Sequence, residues 1–261
     1  MDHALLVAST FCFLLGFAHT MFALGTRRYR PSQFNFSVIL LGFVFQTAFL
    51  FLRGQKLGCC PLTNLFEVLI FLSWSIVLLY LLVGTAYRLS LLGAFTSPLV
   101  FVLQTFALIA LGDLPSRPRT APNPWLDLHA ATSVVAYGAF ALAGVAGVMY
   151  LVQERQLKTR QIHSIFFHLP PIANLAVAIH RLLLAGFALL TLGLLAGFAV
   201  GFDWLQIAWG LSIWLIYALI LQAEKWKRIS PRRVAQLAVI AFALTLSTLW
   251  GVSLIAHAAH T

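Results

Sequence analysis

Charge is what this sequence has least of. Only 9% of its 261 residues are Asp, Glu, Lys or Arg, while 61% are hydrophobic; an ordinary soluble domain carries about a quarter charged residues. That balance excludes a soluble globular class and reads as an integral membrane protein. Acids are scarcest, seven against seventeen Lys and Arg, for a formal charge of +10. The cations lie in short clusters between apolar runs rather than in one patch, so they read as membrane topology and exclude a nucleic-acid footprint.

Cysteine is nearly absent too. Cys12, Cys59 and Cys60 form no C-x-x-C pair, no C-x-x-C-H haem-attachment motif and no disulfide framework. The Cys59-Cys60 pair reads as interfacial filler before it reads as a redox site. The opening "MDHALLVASTFCFLLGFAHTMFAL" has no basic residue before its apolar run, and the run is too long for a signal-peptide core. It is expected to be a retained first span.

What the chain does have is long apolar runs. A spanning helix needs about 20 apolar residues, and eight stretches qualify: 4–24, 36–53, 64–84, 89–111, 128–152, 181–201, 205–222 and 234–257. The fold class expected is therefore an all-α polytopic membrane protein of about eight transmembrane helices, a single integral membrane domain over residues 1–261. Lys and Arg accumulate on the cytoplasmic side. One set of connections holds Arg27, Arg28, Arg30, Arg88, Arg155, Lys158, Arg160, Arg181, Lys225, Lys227, Arg228, Arg232 and Arg233; the other holds only Arg53, Lys56, Arg117 and Arg119. The first set is expected inside, with both termini on the outer side.

Two connections stand out. The inner segment "QERQLKTRQIHSIFFHLPPIANLAVAIH" mixes apolar and polar residues, as suits chain lying at the membrane surface. The outer "GDLPSRPRTAPNPW" is proline-rich and expected to be an extended loop. No internal repeat is visible, which counts against an inverted-repeat transporter. So does the lack of charged residues deep in the spans.

That topology sorts the histidines. His129 opens the fifth span at the outer face, and His257 and His260 close the eighth at the same face. Two helices distant in sequence thus bring imidazoles to one depth, the arrangement that ligates a haem iron from two sides. The bland reading is that polar residues cap span ends. His3 is an outer end residue, His19 lies in the inner half of the first span, and His163, His168 and His180 fall on the cytoplasmic side as solvated or headgroup contacts. Trp125, Trp204, Trp209 and Trp250 map to the outer face, either as an interfacial belt or as a shelf for a flat macrocycle. Asn64 followed three residues on by Glu67 makes a capping box at a span start, a structural role set against one in cofactor or proton handling.

Five blocks, "PLTNLFEVLIFLSW", "WLDLHAATSVVAYGAFALAGVAGVMYLVQERQLK", "LPPIANLAVAIHRLLLAGFALLTLGLLAG", "WLIYALIL" and "WGVSLIAHAAH", resemble in order and spacing the cytochrome c assembly membrane proteins, the CcsA-like family with its HemX and YpjD branches. The resemblance covers roughly residues 60–260. It implies haem handled at the outer (periplasmic) face of a bacterial inner membrane, with His129 and His260 as axial ligands and His257 as the alternative. The partners it implies are the lipid bilayer, a second cytochrome c assembly membrane subunit or apocytochrome c. Two departures from the pattern matter. The family's tryptophan-rich signature W-G-x-x-W-x-W-D is reduced to "VGFDWLQIAWGLSIW", leaving Asp203, Trp204 and Trp209, and a membrane-embedded histidine of the family is here Gln222. These move the chain toward the HemX and YpjD branches. The expected role is a haem-handling assembly factor more than a catalyst. The alternative is a haem-free scaffold or regulatory subunit that docks a partner through Gly138, Gly144 and Gly147.

Overall fold

The computed structural model describes residues 2–25, 33–86, 90–111, 123–159, 171–226 and 228–258. All of the regular structure in them is helical: α1 (Asp2–Gly25), α2 (Gln33–Leu57), α3 (Leu65–Ala86), α4 (Ser90–Phe106) running into a π-helical turn (Ala107–Leu111), α5 (Pro124–Thr159), α6 (Ile172–Val200), α7 (Trp204–Lys225) and α8 (Pro231–Ala258). Lipid offers backbone amides no hydrogen-bond partner, and a helix satisfies them within one segment. Among the described residues α1, α2, α3, α5, α6 and α7 are each long and apolar enough to cross a membrane, and α4 contributes the shorter apolar stretch Phe95–Ala110.

The all-α polytopic expectation holds, with longer helices than the apolar runs suggested. The fifth helix starts at Pro124 and ends at Thr159, 36 residues in all, so "PWLDLH" is helix and not the end of a loop. The connection between the fifth and sixth helices, expected inside, is likewise mostly helix. Its "QERQLKT" closes α5 and its "IANLAVAIH" opens α6, which leaves only 160–170 outside the described residues, with His163 and His168 among them. Backbone hydrogen bonding extends beyond the apolar stretches because neither "QERQLKT" nor "IANLAVAIH" contains a proline or glycine to break a helix.

Helix α5 is the hub. It packs along α6 and α8 and also against α3, while α1 pairs with α2 and α4. Without a hydrophobic driving force between helices in lipid, close approach falls to small residues. A Cβ on Gly138 would stand 2.8 Å from the Ser75 Cβ, and one on Gly147 would stand 2.9 Å from the Ala235 carbonyl oxygen. Gly144 faces Phe242. These three glycines therefore serve contacts inside the chain, with α3 and α8, and are not a face open to a partner as the scaffold reading required.

The α1–α4 half is held partly by polar groups. Gln46 and Gln104 are fully buried; Gln46 donates to the Ile70 carbonyl at 2.8 Å, and Gln104 accepts from Thr10 at 2.9 Å. Each ties its own helix to another, α2 to α3 and α4 to α1.

Candidate functional site

The first turn of α5 carries Trp125 and His129, and α6 decides how His129 sits. Antiparallel to α5, α6 presents Gly186, Gly193 and Gly197 to it. A Cβ on Gly186 would come within 2.5 Å of Phe140, one on Gly193 within 2.6 Å of the Ser133 hydroxyl, and one on Gly197 within 3.0 Å of His129 Nδ1. The ring of His129 occupies the space that a side chain at 197 would take. Phe202 stands edge-on to it, with centroids 4.9 Å apart and planes at 73°.

His129 Nδ1 lies 2.7 Å from the Gly193 carbonyl oxygen. A carbonyl only accepts, so the proton is on Nδ1 and the ring donates it. In the neutral imidazole this leaves the lone pair on Nε2. A metal-ligating histidine typically gives its other N–H to a carbonyl or carboxylate, which fixes both tautomer and ring orientation. The donor chemistry at His129 therefore fits axial ligation of a haem iron through Nε2. No cluster of three or more His, Cys, Asp or Glu side chains among the described residues could hold a bare metal ion; a haem, bringing its own equatorial nitrogens, requires none.

The other predicted residues fall out as follows. Trp125, Trp204 and Trp209 are exposed, at 54%, 79% and 46%, and Trp204 and Trp209 belong to α7 rather than to a loop. Where the resemblance implies a tryptophan-rich loop, α6 passes to α7 through Gly201-Phe202-Asp203 alone. Gly201 makes that turn possible, with φ of 80° in the left-handed region. Trp250 and His257 lie in α8, with side chains outside the described set, and His260 lies outside the described residues. The packing register is nevertheless informative. Gly144 meets Phe242, and Gly147 meets Ala235 and Val239, so the antiparallel helices continued upward bring the turn at residue 257 level with residue 129.

Glu67 is fully buried. Its amide donates to Asn64 Oδ1 at 2.9 Å, the expected cap. Its carboxylate reaches back one residue further than a capping box does, accepting from the Thr63 amide and hydroxyl, both at 2.8 Å. Arg53 from α2 completes the site at 3.0 Å. His180, expected at the surface, is half-exposed and donates from Nδ1 to Glu224 of α7 at 2.9 Å. His19 packs edge-on against Phe34, and Gln222 is exposed in the last turns of α7.

Sequence reasoning missed Gly193, Gly197 and Phe202. The G-x-x-x-G spacing of "GLLAG" signals close approach of another helix, though not which helix or which side chain fills the groove.

The family described as Cytochrome C assembly protein matches residues 62–260. The chain belongs to this family. Among its relatives, the "Cytochrome c biogenesis protein CcsA" of Chlamydomonas reinhardtii is 28% identical over 81% of this chain and 63% of its own length. That of Synechococcus sp. (strain CC9902) is 29% identical over 82% of each. "Protein HemX" of Brevibacillus brevis is 29% identical over 66% of this chain and 64% of its own length. The chain thus spans under two thirds of the algal protein. Within the cytochrome c assembly family, the matched region takes in α3 with Glu67, the α5–α6 contact at His129 and all of α8.

Proposed function

We infer that this membrane protein handles haem in cytochrome c assembly, holding it at the outer end of α5 and α8. The observation that carries the reading is the His129 Nδ1–H bond to Gly193, which presets Nε2 as a ligand. His260 supplies the second imidazole, with His257, three residues earlier, as the alternative; the α5–α8 register supports α8 as the helix that brings it, and by itself points to the level of residue 257. When bound, the haem supplies a redox-active iron and reactive vinyl edges; the chain supplies ligation, orientation and a tuned imidazole. Membership of the cytochrome c assembly family and the similarity to proteins named CcsA support the role. The membrane is a bacterial inner membrane, as the family resemblance implies, and the charge asymmetry of the connections supports this end, and both termini, on the periplasmic side. The recipient is apocytochrome c, or a second assembly subunit that passes haem on.

The test is the absorption spectrum of the full chain, purified in detergent after haem-sufficient growth. A Soret band that falls sharply in a His129→Ala, His260→Ala double variant supports the reading; no band in the wild type ends it. The second reading is a haem-free scaffold of the same fold, HemX-like in role. The three-residue α6–α7 turn favours it, because that turn leaves no loop to cover a macrocycle. Under this reading the wild type purifies colourless and with a second membrane protein.

A further inference from the structure

The end of the molecule away from His129 holds a cleft between the last turns of α5 and the first turns of α8. Its shape follows from side-chain size. The two helices touch at Gly147, where the Ala235 carbonyl oxygen and Val239 leave no room for a Cβ. Beyond that contact the residues become large: Tyr150, Glu154 and Lys158 on α5, and Arg232, Arg233 and Gln236 on α8. Between them lies a polar cavity of about 580 Å³. A second cavity of about 480 Å³, lined by Leu151, Leu237, Val239 and Ile240, adjoins it and shares Arg233 and Gln236 as a wall.

The charges in the polar cavity do not balance. Glu154 is the acid among its lining residues, and it is already engaged by Lys158 at 2.7 Å and Arg232 at 3.3 Å. Arg233 adds a further cation at the point where the two cavities meet. The amino end of α8, with Ser230 preceding Pro231, adds the positive end of a helix dipole. The level is that of a membrane interface. Trp226 is exposed nearby in sequence, with the Arg228 guanidinium 4.6 Å from its ring centroid, the aromatic-plus-basic pairing found at headgroup depth.

A cationic chamber beside an apolar groove has the form of a lipid: phosphate in one, acyl chain along the other. We propose that the α5–α8 cleft binds an anionic phospholipid of the surrounding bilayer, its phosphate against Lys158, Arg232 and Arg233 and one chain along Leu237 and Ile240. Basic pockets between membrane helices select anionic headgroups in this way. A free phosphate ion would use the polar chamber alone and leave the adjoining groove without a role. The bound lipid adds to the Glu154–Arg232 link between α5 and α8, its phosphate offsetting the positive charge of Lys158, Arg232 and Arg233 that Glu154 alone leaves unbalanced. This proposal stands independently of the haem reading.

Native mass spectrometry of the full chain, titrated in detergent with phosphatidylglycerol, phosphatidylcholine or inorganic phosphate, tests it. Wild type retains phosphatidylglycerol and not phosphatidylcholine. Arg233→Gln weakens that retention about fivefold, and Leu237→Asn weakens it while leaving the charge unchanged. Equal retention of the two lipids overturns the proposal. So does competition by inorganic phosphate at full strength with no lipid retained, or an Arg233→Gln variant that binds as wild type. Should either variant misfold by circular dichroism, the wild-type preference between the two lipids decides the matter alone.

Discussion

His129 gives its Nδ1 proton to the carbonyl of Gly193, 64 residues away on the facing helix, at 2.7 Å. The bond depends on the missing side chains of α6. Gly193 and Gly197 let α5 come close enough for an imidazole to reach a backbone oxygen, and the result is a ring with one defined free nitrogen.

Gly197→Ala tests that dependence without touching the histidine. The new methyl stands 3.0 Å from His129 Nδ1, so the ring has to give by a few tenths of an ångström and its bond to the Gly193 carbonyl is strained or lost. Loss of such an outer partner weakens a metal site by about 10- to 100-fold. The Soret absorbance of purified Gly197→Ala protein is expected to fall accordingly, with helical content by circular dichroism unchanged. An unaltered band would remove the Gly193 contact from the account.

Glu67→Gln separates structure from chemistry at the other candidate acid. Arg53 and Glu67 are 12% and 0% exposed, and breaking a buried pair by neutralising one partner costs about 3–5 kcal/mol. Thermal unfolding in detergent is expected to drop markedly, while the haem spectrum of the surviving folded protein stays as in wild type. A spectral change at full stability would point to cofactor handling instead.

Gly186 and Phe140 form a steric pair deeper in the same interface. A Cβ at 186 would be 2.5 Å from the Phe140 ring, which itself stacks on Tyr217 with planes at 6°. Gly186→Val is expected to destabilise by about 1–3 kcal/mol through overpacking. Phe140→Leu in the same chain should recover part of the loss, so a double-mutant cycle reads a favourable coupling. Additive effects would mean that the two positions do not meet.

Orientation is checked by labelling single cysteines in intact cells. A cysteine at Lys227 should be protected from a membrane-impermeant thiol reagent, and one at Arg119 should be labelled. The reverse pattern would invert the topology and move His129 to the cytoplasmic side.

Much of the architecture was legible beforehand because lipid leaves the backbone so few options. Long apolar runs had to become helices, and Asn64 three residues before Glu67 offered a cap whose Asn64 half formed as expected, since both outcomes satisfy amides locally. The end points were less legible. Helix α5 runs on to Thr159 past its apolar stretch, because hydrogen bonding propagates through "QERQLKT" as readily as through alanine and valine. The histidines were picked out by sidedness, which says nothing of partners; His180 had a carboxylate waiting in Glu224.

The sequence by itself determined that this chain is a helical membrane protein, approximately where its helices lie, and that His129 opens one of them. Only the tertiary structure decided which helix each face meets. In lipid, apolar side chains gain nothing by leaving one apolar surface for another, so pairing is settled by how closely backbones fit and which polar groups find each other. That is why the partners of Gly138, Gly186 and Gly197, the reach of Arg53 to Glu67 and the tautomer of His129 come from packing, through contacts between residues far apart in the chain.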